Sequence, residues 1–179
     1  MWKLTFILTS ILAAAALCSG QARRAERSAN PTPSKKATIP NPFAGKWTYR
    51  SYHNRADIVD QDAALALTLI FGEGLITVEN TDLKTFKGSF DMGGGYVLDM
   101  EGSVRWQTYV SPTIFEISGK GRAGTPTEGW QYDYVGYLTW EWPNGIGQVP
   151  AIVGTVIRTK PHGAAQAGYV ASFMATKHP

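Results

Sequence analysis

Aromatic and apolar residues occupy every second position from Trp130 to Trp142, with a glycine at one of them. An extended strand sends alternate side chains to the same face, so this pattern predicts a strand with an aromatic stripe. The turn-forming residues Pro143-Asn144-Gly145 follow, and Ala151–Thr159 is rich in β-branched residues with apolar groups on both faces. The segment 130–159 therefore predicts a β-hairpin.

Alternating patterns mark further strands between Phe43 and the C-terminus. The clearest spans Tyr96 to Trp106, where apolar and charged residues take opposite faces. We also predict strands at 43–52, 65–71, 75–79, 85–92, 114–120 and 167–176, with a hairpin turn at Gly72-Glu73-Gly74. No convincing amphipathic helix is present.

The expected fold is therefore all-β. Regularly spaced short strands with glycine-rich turns are typical of an antiparallel meander that forms a barrel or a sandwich. Both end strands are apolar, and an open sheet would leave their edges unpaired. We accordingly predict an eight- to nine-stranded antiparallel up-and-down β-barrel.

The first 42 residues differ in composition from the rest. Residues 1–22 have a short positive start, an apolar run and small residues after it, which predicts a cleaved secretory signal peptide. A membrane anchor needs about 20 apolar residues, and the apolar run here is shorter. A lipid anchor on Cys18 is disfavoured because the bulky Leu17 precedes it. We predict a secreted or periplasmic protein, with residues 23–42 as a disordered basic, proline-rich linker and residues 43–179 as the barrel domain.

Charge narrows the range of partners. From Phe43 onward the chain has 11 Lys and Arg against 13 Asp and Glu, a formal charge of −2, so the excess of positive charge lies before the predicted barrel. A barrel of this charge is not expected to bind nucleic acid. Stable membrane insertion is not expected either.

Three sequence features resemble the avidin and streptavidin family. Gly45-Lys46-Trp47 is similar to the G-x-W opening that avidins share with lipocalins. Phe86–Phe90 followed by Tyr96-Val97-Leu98 resembles the third and fourth avidin strands, and Ala151–Thr159 with Ala167–Lys177 resembles the closing hairpin. The resemblance implies an eight-stranded barrel with a ligand at one mouth, often assembled as a dimer or tetramer.

The residues that hold biotin in that family are not matched. Tyr49 and His53 stand where the first strand would supply Asn and Ser, and Phe90 replaces a Tyr. Ala171 or Ser172 stands in place of an Asp on the last strand. Since a site built on hydrogen bonds rejects a ligand whose partners are missing, biotin is not the expected ligand.

Aromatic residues are the candidate lining of a ligand cavity. An eight-stranded barrel is wide enough either to be filled by side chains or to hold one small molecule. The alternative is that these residues only pack the core. We also expect Arg158 to stack over Trp47 as a cation–π pair. The candidate ligand-binding residues are Trp47, Tyr49, Phe90, Tyr96, Trp106, Trp130, Tyr132, Tyr134 and Trp140.

Catalytic signals are few. The three histidines have no metal-ligand spacing with carboxylates, and no nucleophile or nucleotide motif is present, so no metal or cofactor is expected. If the protein is an enzyme, Asp133 and Glu116 are the candidate acid and base, provided that they point inward, and an isomerase or cyclase is the expected type.

The predicted function is therefore an exported barrel that binds a small apolar or aromatic molecule. Self-association through the last two strands is expected, because both are apolar on both faces. The alternatives are an isomerase or cyclase acting on a hydrophobic substrate, a structural or interaction module without a ligand, and carbohydrate binding by Trp140 and Trp142.

Overall fold

The computed structural model describes residues 41–55, 57, 59, 62–139 and 144–178. The predicted signal peptide, nearly all of the predicted linker, Trp140 and Trp142 lie outside these residues. The described part contains a 3₁₀ helix, Ala63–Leu69, and eight strands. The strands are β1 Gly45–His53, β2 Ile70–Val78, β3 Thr85–Asp91, β4 Val97–Arg105, β5 Ile114–Gly121, β6 Gln131–Thr139, β7 Ala151–Arg158 and β8 Val170–Lys177.

The strands form a closed barrel in sequence order, which confirms the predicted all-β barrel. Every consecutive pair is antiparallel. β8 closes the barrel by pairing antiparallel with β1, from Trp47 opposite Lys177 to His53 opposite Ala171. No strand edge is therefore left open along the pairing direction. Among the described residues, no helix is long and apolar enough to cross a bilayer.

The strand predicted at 75–79 forms the end of β2, but most of the strand predicted at 65–71 and the hairpin turn predicted at 72–74 were wrong. Residues 63–69 form the 3₁₀ helix, which Asp62 caps by accepting the Ala64 N–H at 2.8 Å. The expected hairpin turn at 72–74 lies inside β2. A Cβ on Gly74 would lie 2.2 Å from the Asp91 carbonyl oxygen. This glycine therefore allows a close approach between the neighbouring strands β2 and β3 and does not form a turn.

The barrel has a lower end, where β1 begins, and an upper end, where β1 finishes at His53. Aromatic rings seal the lower end: the Phe43 ring lies 5.2 Å from Trp106 and 4.9 Å from Phe115. The indole N–H of Trp106 donates to the Leu83 carbonyl at 2.5 Å. Trp47, which is buried just inside this end, donates to the Phe43 carbonyl at 2.9 Å.

Arg158 does not stack over Trp47, and this expectation was wrong. β7 runs parallel to β1 because both are antiparallel to β8. Its last residue, Arg158, therefore lies at the upper end, far from the start of β1. The cation over the Trp47 ring is instead Lys177, whose Nζ lies 5.9 Å from the ring centroid.

The outer faces of β6, β7 and β8 carry exposed apolar side chains. The register places Tyr137 opposite Val153 and Val153 opposite Met174, so these three side chains form a row across the strands. Val153 is 36 % exposed and Met174 is 45 % exposed. We call this row, together with Val135 and Ile157, the outer apolar strip.

We predict that Gly154→Ala destabilises the barrel. A Cβ at Gly154 would lie 2.0 Å from the Val135 carbonyl oxygen, so β6 and β7 must separate to admit it. The free energy of unfolding, measured by urea denaturation, should fall by about 2 kcal/mol or more. Gly72→Ala is the control, because its Cβ would meet only Ser51 Oγ, at 3.5 Å. Equal stability of Gly154→Ala and the unaltered protein would contradict this packing.

Candidate ligand-binding site

The lower half of the barrel interior is filled. Its remaining void is about 20 Å³, enclosed by apolar and aromatic side chains that include Trp47, Ile76 and Met100. A space of this size admits roughly one water molecule, and an apolar void of this kind stays dry. The lower half is therefore packed core and offers no room for a ligand.

The upper half contains a cavity of about 180 Å³. Its walls come from β1, β2, β3, β4, β6 and β7, with His162 contributed by the loop between β7 and β8. Most of the lining is aromatic or apolar. The lining residues are Tyr49, Ser51, Phe71, Gly72, Phe90, Met92, Leu98, Trp130, Tyr132, Tyr134, Val156, Arg158 and His162.

Two buried tyrosines form the floor of this upper cavity. The Tyr49 ring lies 4.6 Å from Phe90 and 6.2 Å from Tyr134, so the three rings make one aromatic surface. Burial raises the pKa of both the Tyr49 and the Tyr134 phenol, since removal from water disfavours the phenolate. Both hydroxyls therefore remain neutral and can donate or accept hydrogen bonds.

Arg158 lies at the mouth of the cavity, against three aromatic rings. It ends β7 on the same inward face as Ile152 and Val156. The centre of its guanidinium is 5.3 Å from the Phe71 centroid, 5.9 Å from Tyr132 and 5.8 Å from Tyr169. Nη1 donates to the Gln166 carbonyl at 3.0 Å, and Nε lies 3.5 Å from the Tyr132 hydroxyl.

His162 covers one side of the mouth. Its ring stacks on Trp130 with 3.8 Å between centroids and 13° between planes. Nε2 lies 2.6 Å from the Tyr132 hydroxyl. Burial lowers the pKa of His162, and the nearby positive charge of Arg158 lowers it further. The imidazole is therefore neutral at pH 7, and its Nε2 can accept a hydrogen bond from the Tyr132 hydroxyl.

The structure brings together five of the nine residues predicted from the sequence. These five line the upper cavity: Tyr49, Phe90, Trp130, Tyr132 and Tyr134. Trp47 borders the small void below, and Trp106 packs at the lower end. Tyr96 is 40 % exposed and contacts Trp130 from outside the cavity, at 5.8 Å. Trp140 lies outside the described residues.

The two candidate catalytic carboxylates are not in the cavity. The inward residues of β6 are Tyr132, Tyr134, Gly136 and Leu138, so Asp133 points outward. Glu116 is on the outer face of β5, where it pairs with Arg105 at 3.2 Å. No Asp or Glu is among the residues that line the cavity. In the described ranges, no group of three or more His, Cys, Asp or Glu side chains could hold a metal ion.

Sequence reasoning missed several lining residues, including Phe71, Val156, Arg158 and His162. The alternation along β7 indicates two of them. Val156 and Arg158 are an even number of positions from the inward-facing Ile152, so they face the same side of the strand. His162 carried no such signal. Its loop turns back through Gly163, at φ 53°, and a bridge between His162 and Ala165 holds the turn.

The residues compared from the sequence with the biotin contacts of avidins have other roles in this structure. Tyr49 and Phe90 pack on each other in the cavity floor, and His53 Nδ1 is hydrogen-bonded to the Tyr169 hydroxyl. Ala171 is fully buried, whereas Ser172 is exposed and donates to Asn54 Oδ1 at 2.9 Å. These residues therefore do not reproduce the expected biotin contacts.

Comparison with known proteins gives no family. No protein-family model matches the chain, and neither curated proteins nor solved structures give a significant match. The structure defines a closed eight-stranded antiparallel β-barrel, compatible with a calycin-like fold, with a small cavity at one end.

We predict that His162 titrates below the ordinary histidine value of about 6.5. Arg158→Gln should raise its pKa only part of the way, because burial is the larger cause and persists. Both values can be measured by NMR titration of the imidazole protons. The control Arg105→Gln, at the lower end of the barrel, should leave the pKa unchanged.

The same shift affects stability. Below about pH 6.5 the unfolded chain binds more protons at this site than the folded chain, so the contribution of His162 to stability falls as the pH drops through its folded pKa.

A His162 pKa at or above the ordinary value, or one unaffected by Arg158→Gln, would contradict the arrangement at the mouth.

Proposed function

We propose that this protein binds a small apolar or aromatic molecule in the upper cavity. The observation that carries the proposal is a space of about 180 Å³, walled by aromatic rings, in a barrel whose lower half is filled. Small barrels have room for one small ligand, and concave apolar sites with a few polar groups are the usual form of such sites.

The size of the cavity limits the ligand. An engineered cavity of about 150 Å³ in another protein holds benzene, and typical sites for drug-sized ligands are about 300 Å³ or larger. A single six-membered ring with one short substituent therefore fits the upper cavity. Larger molecules would have to displace the rings of the floor or the residues at the mouth.

Binding is better supported than catalysis. Asp133 and Glu116 point outward from the barrel, and the only imidazole in the lining, that of His162, is hydrogen-bonded to Tyr132. An isomerase or cyclase would need an acid or a base within reach of the substrate. The two buried phenols do not act as bases at neutral pH, because burial holds them un-ionised.

Self-association and export belong to the same proposal. The outer apolar strip is a surface that a second copy of the barrel would cover, and contiguous exposed apolar patches commonly mark such interfaces. The leader-like composition of residues 1–22 supports export. An avidin-like relationship, suggested by Gly45-Lys46-Trp47, is consistent with a barrel of this type.

We predict that benzyl alcohol raises the melting temperature of the protein and that Val156→Phe abolishes the effect. Val156 is buried in the cavity wall, so the added ring fills the ligand's space. At a tenfold excess over the dissociation constant, the expected shift is about 4 °C. Thr77→Phe on the outer face of β2 is the control and should keep the shift.

Two results of this thermal-shift experiment would count against ligand binding in the cavity. One is the absence of any shift with small aromatic molecules. The other is an equal shift in Val156→Phe and in the unaltered protein, which would locate the ligand elsewhere.

We predict that Val153→Glu reduces the subunit number measured by native mass spectrometry. Val153 is central in the outer apolar strip, and a carboxylate there would be buried without a partner in an assembly. Thr77→Glu, on the outer face of β2, should leave the subunit number unchanged. A protein that is monomeric before substitution would refute self-association and leave the ligand proposal intact.

A further inference from the structure

Arg158 differs from the other arginines of the described residues in its surroundings. The structure describes five arginines, and four of them pair with carboxylates at 2.5–3.2 Å on exposed side chains. These four pairs are Arg50–Glu73, Arg55–Asp57, Arg105–Glu116 and Arg122–Asp99. Among described residues, Arg158 has no carboxylate partner, although it is more sheltered from water than they are.

The guanidinium of Arg158 has donor capacity to spare. It carries five N–H groups in a planar fork, and its described acceptors are the Gln166 carbonyl and the Tyr132 hydroxyl. A partly buried positive charge without a counter-charge is costly. A bound anion would supply that counter-charge, and a carboxylate matches the fork with two parallel hydrogen bonds.

The charges around the cavity disfavour a cationic ligand. Aromatic rings grouped around one space can bind ammonium groups, but here Arg158 already lies against Phe71, Tyr132 and Tyr169. No Asp or Glu lines the cavity to attract a second positive charge. An ammonium group at the mouth would therefore meet repulsion without compensation.

We propose that the ligand is a small aromatic monocarboxylate, whose carboxylate pairs with Arg158 and whose ring lies among Phe90, Leu98 and Tyr134. This inference rests on the proposed function, because it assigns the ligand class of the same cavity. The cavity has two chemically different parts. Its floor is aromatic and neutral, and its positive charge lies at the mouth. A single ring fills the space of about 180 Å³ and leaves the acid group beside the guanidinium.

Three probes with the same ring test this inference by isothermal titration calorimetry at pH 7 and fixed ionic strength. Benzoate carries a negative head group, benzyl alcohol a neutral one and benzylamine a positive one. We expect benzoate to bind about tenfold more tightly than benzyl alcohol, because hydrogen bonds to charged groups are the stronger ones. Benzylamine should bind most weakly.

Variants separate the charge of Arg158 from its packing. Arg158→Gln should reduce the benzoate affinity about tenfold, to the level of benzyl alcohol, and leave the benzyl alcohol affinity near its original value. Arg158→Lys keeps the charge without the planar fork and should give an intermediate benzoate affinity. Arg105 pairs with Glu116 at the lower end of the barrel, so Arg105→Gln should change neither affinity.

The outcomes distinguish the two proposals. If benzyl alcohol or benzylamine binds as tightly as benzoate, the anionic ligand class is wrong and the cavity proposal stands. The anionic class is also wrong if Arg158→Gln weakens benzoate and benzyl alcohol equally, since that would show a packing role alone. If none of the three probes binds, both proposals fail.

Discussion

The pairing of β1 with β8 is the interaction on which the rest of this structure depends. It joins the first and last strands over seven residue pairs, from Trp47–Lys177 to His53–Ala171. Closure gives every strand two neighbours and fixes which side chains face the interior. The alternation of strand direction from β1 to β7 makes β7 parallel to β1, and this direction places Arg158 at the upper end with the aromatic rings of the mouth.

Closure leaves an interior that is filled unevenly. In the lower half, large buried side chains such as Trp47 and Phe115 leave almost no space. In the upper half, β1 and β2 contribute Ser51 and Gly72, which occupy little volume. The cavity is therefore a consequence of small inward residues on one side of the barrel. Arg158 and His162 then give the mouth of this cavity its polar character.

Much of the fold could be predicted from the sequence, because the alternation of apolar and polar residues reports directly on inward and outward faces. The error at 72–74 arose because a glycine is equally typical of a turn and of a close approach between strands, and Gly74 serves a close approach to the Asp91 carbonyl of β3. The site was less predictable. Tyr132 and Tyr134 share the inward parity of one strand, but the place of Arg158 depends on strand direction, and that of His162 depends on the path of a loop.

The most direct test of a ligand site in the upper cavity is a crystal structure of the protein with benzoate, in which difference electron density locates the ring and its carboxylate. We predict the ring inside the barrel, near Phe90, Leu98 and Tyr134, with the carboxylate beside Arg158. Benzoate found only on the outer surface, with the upper half of the barrel filled by side chains, would contradict this prediction.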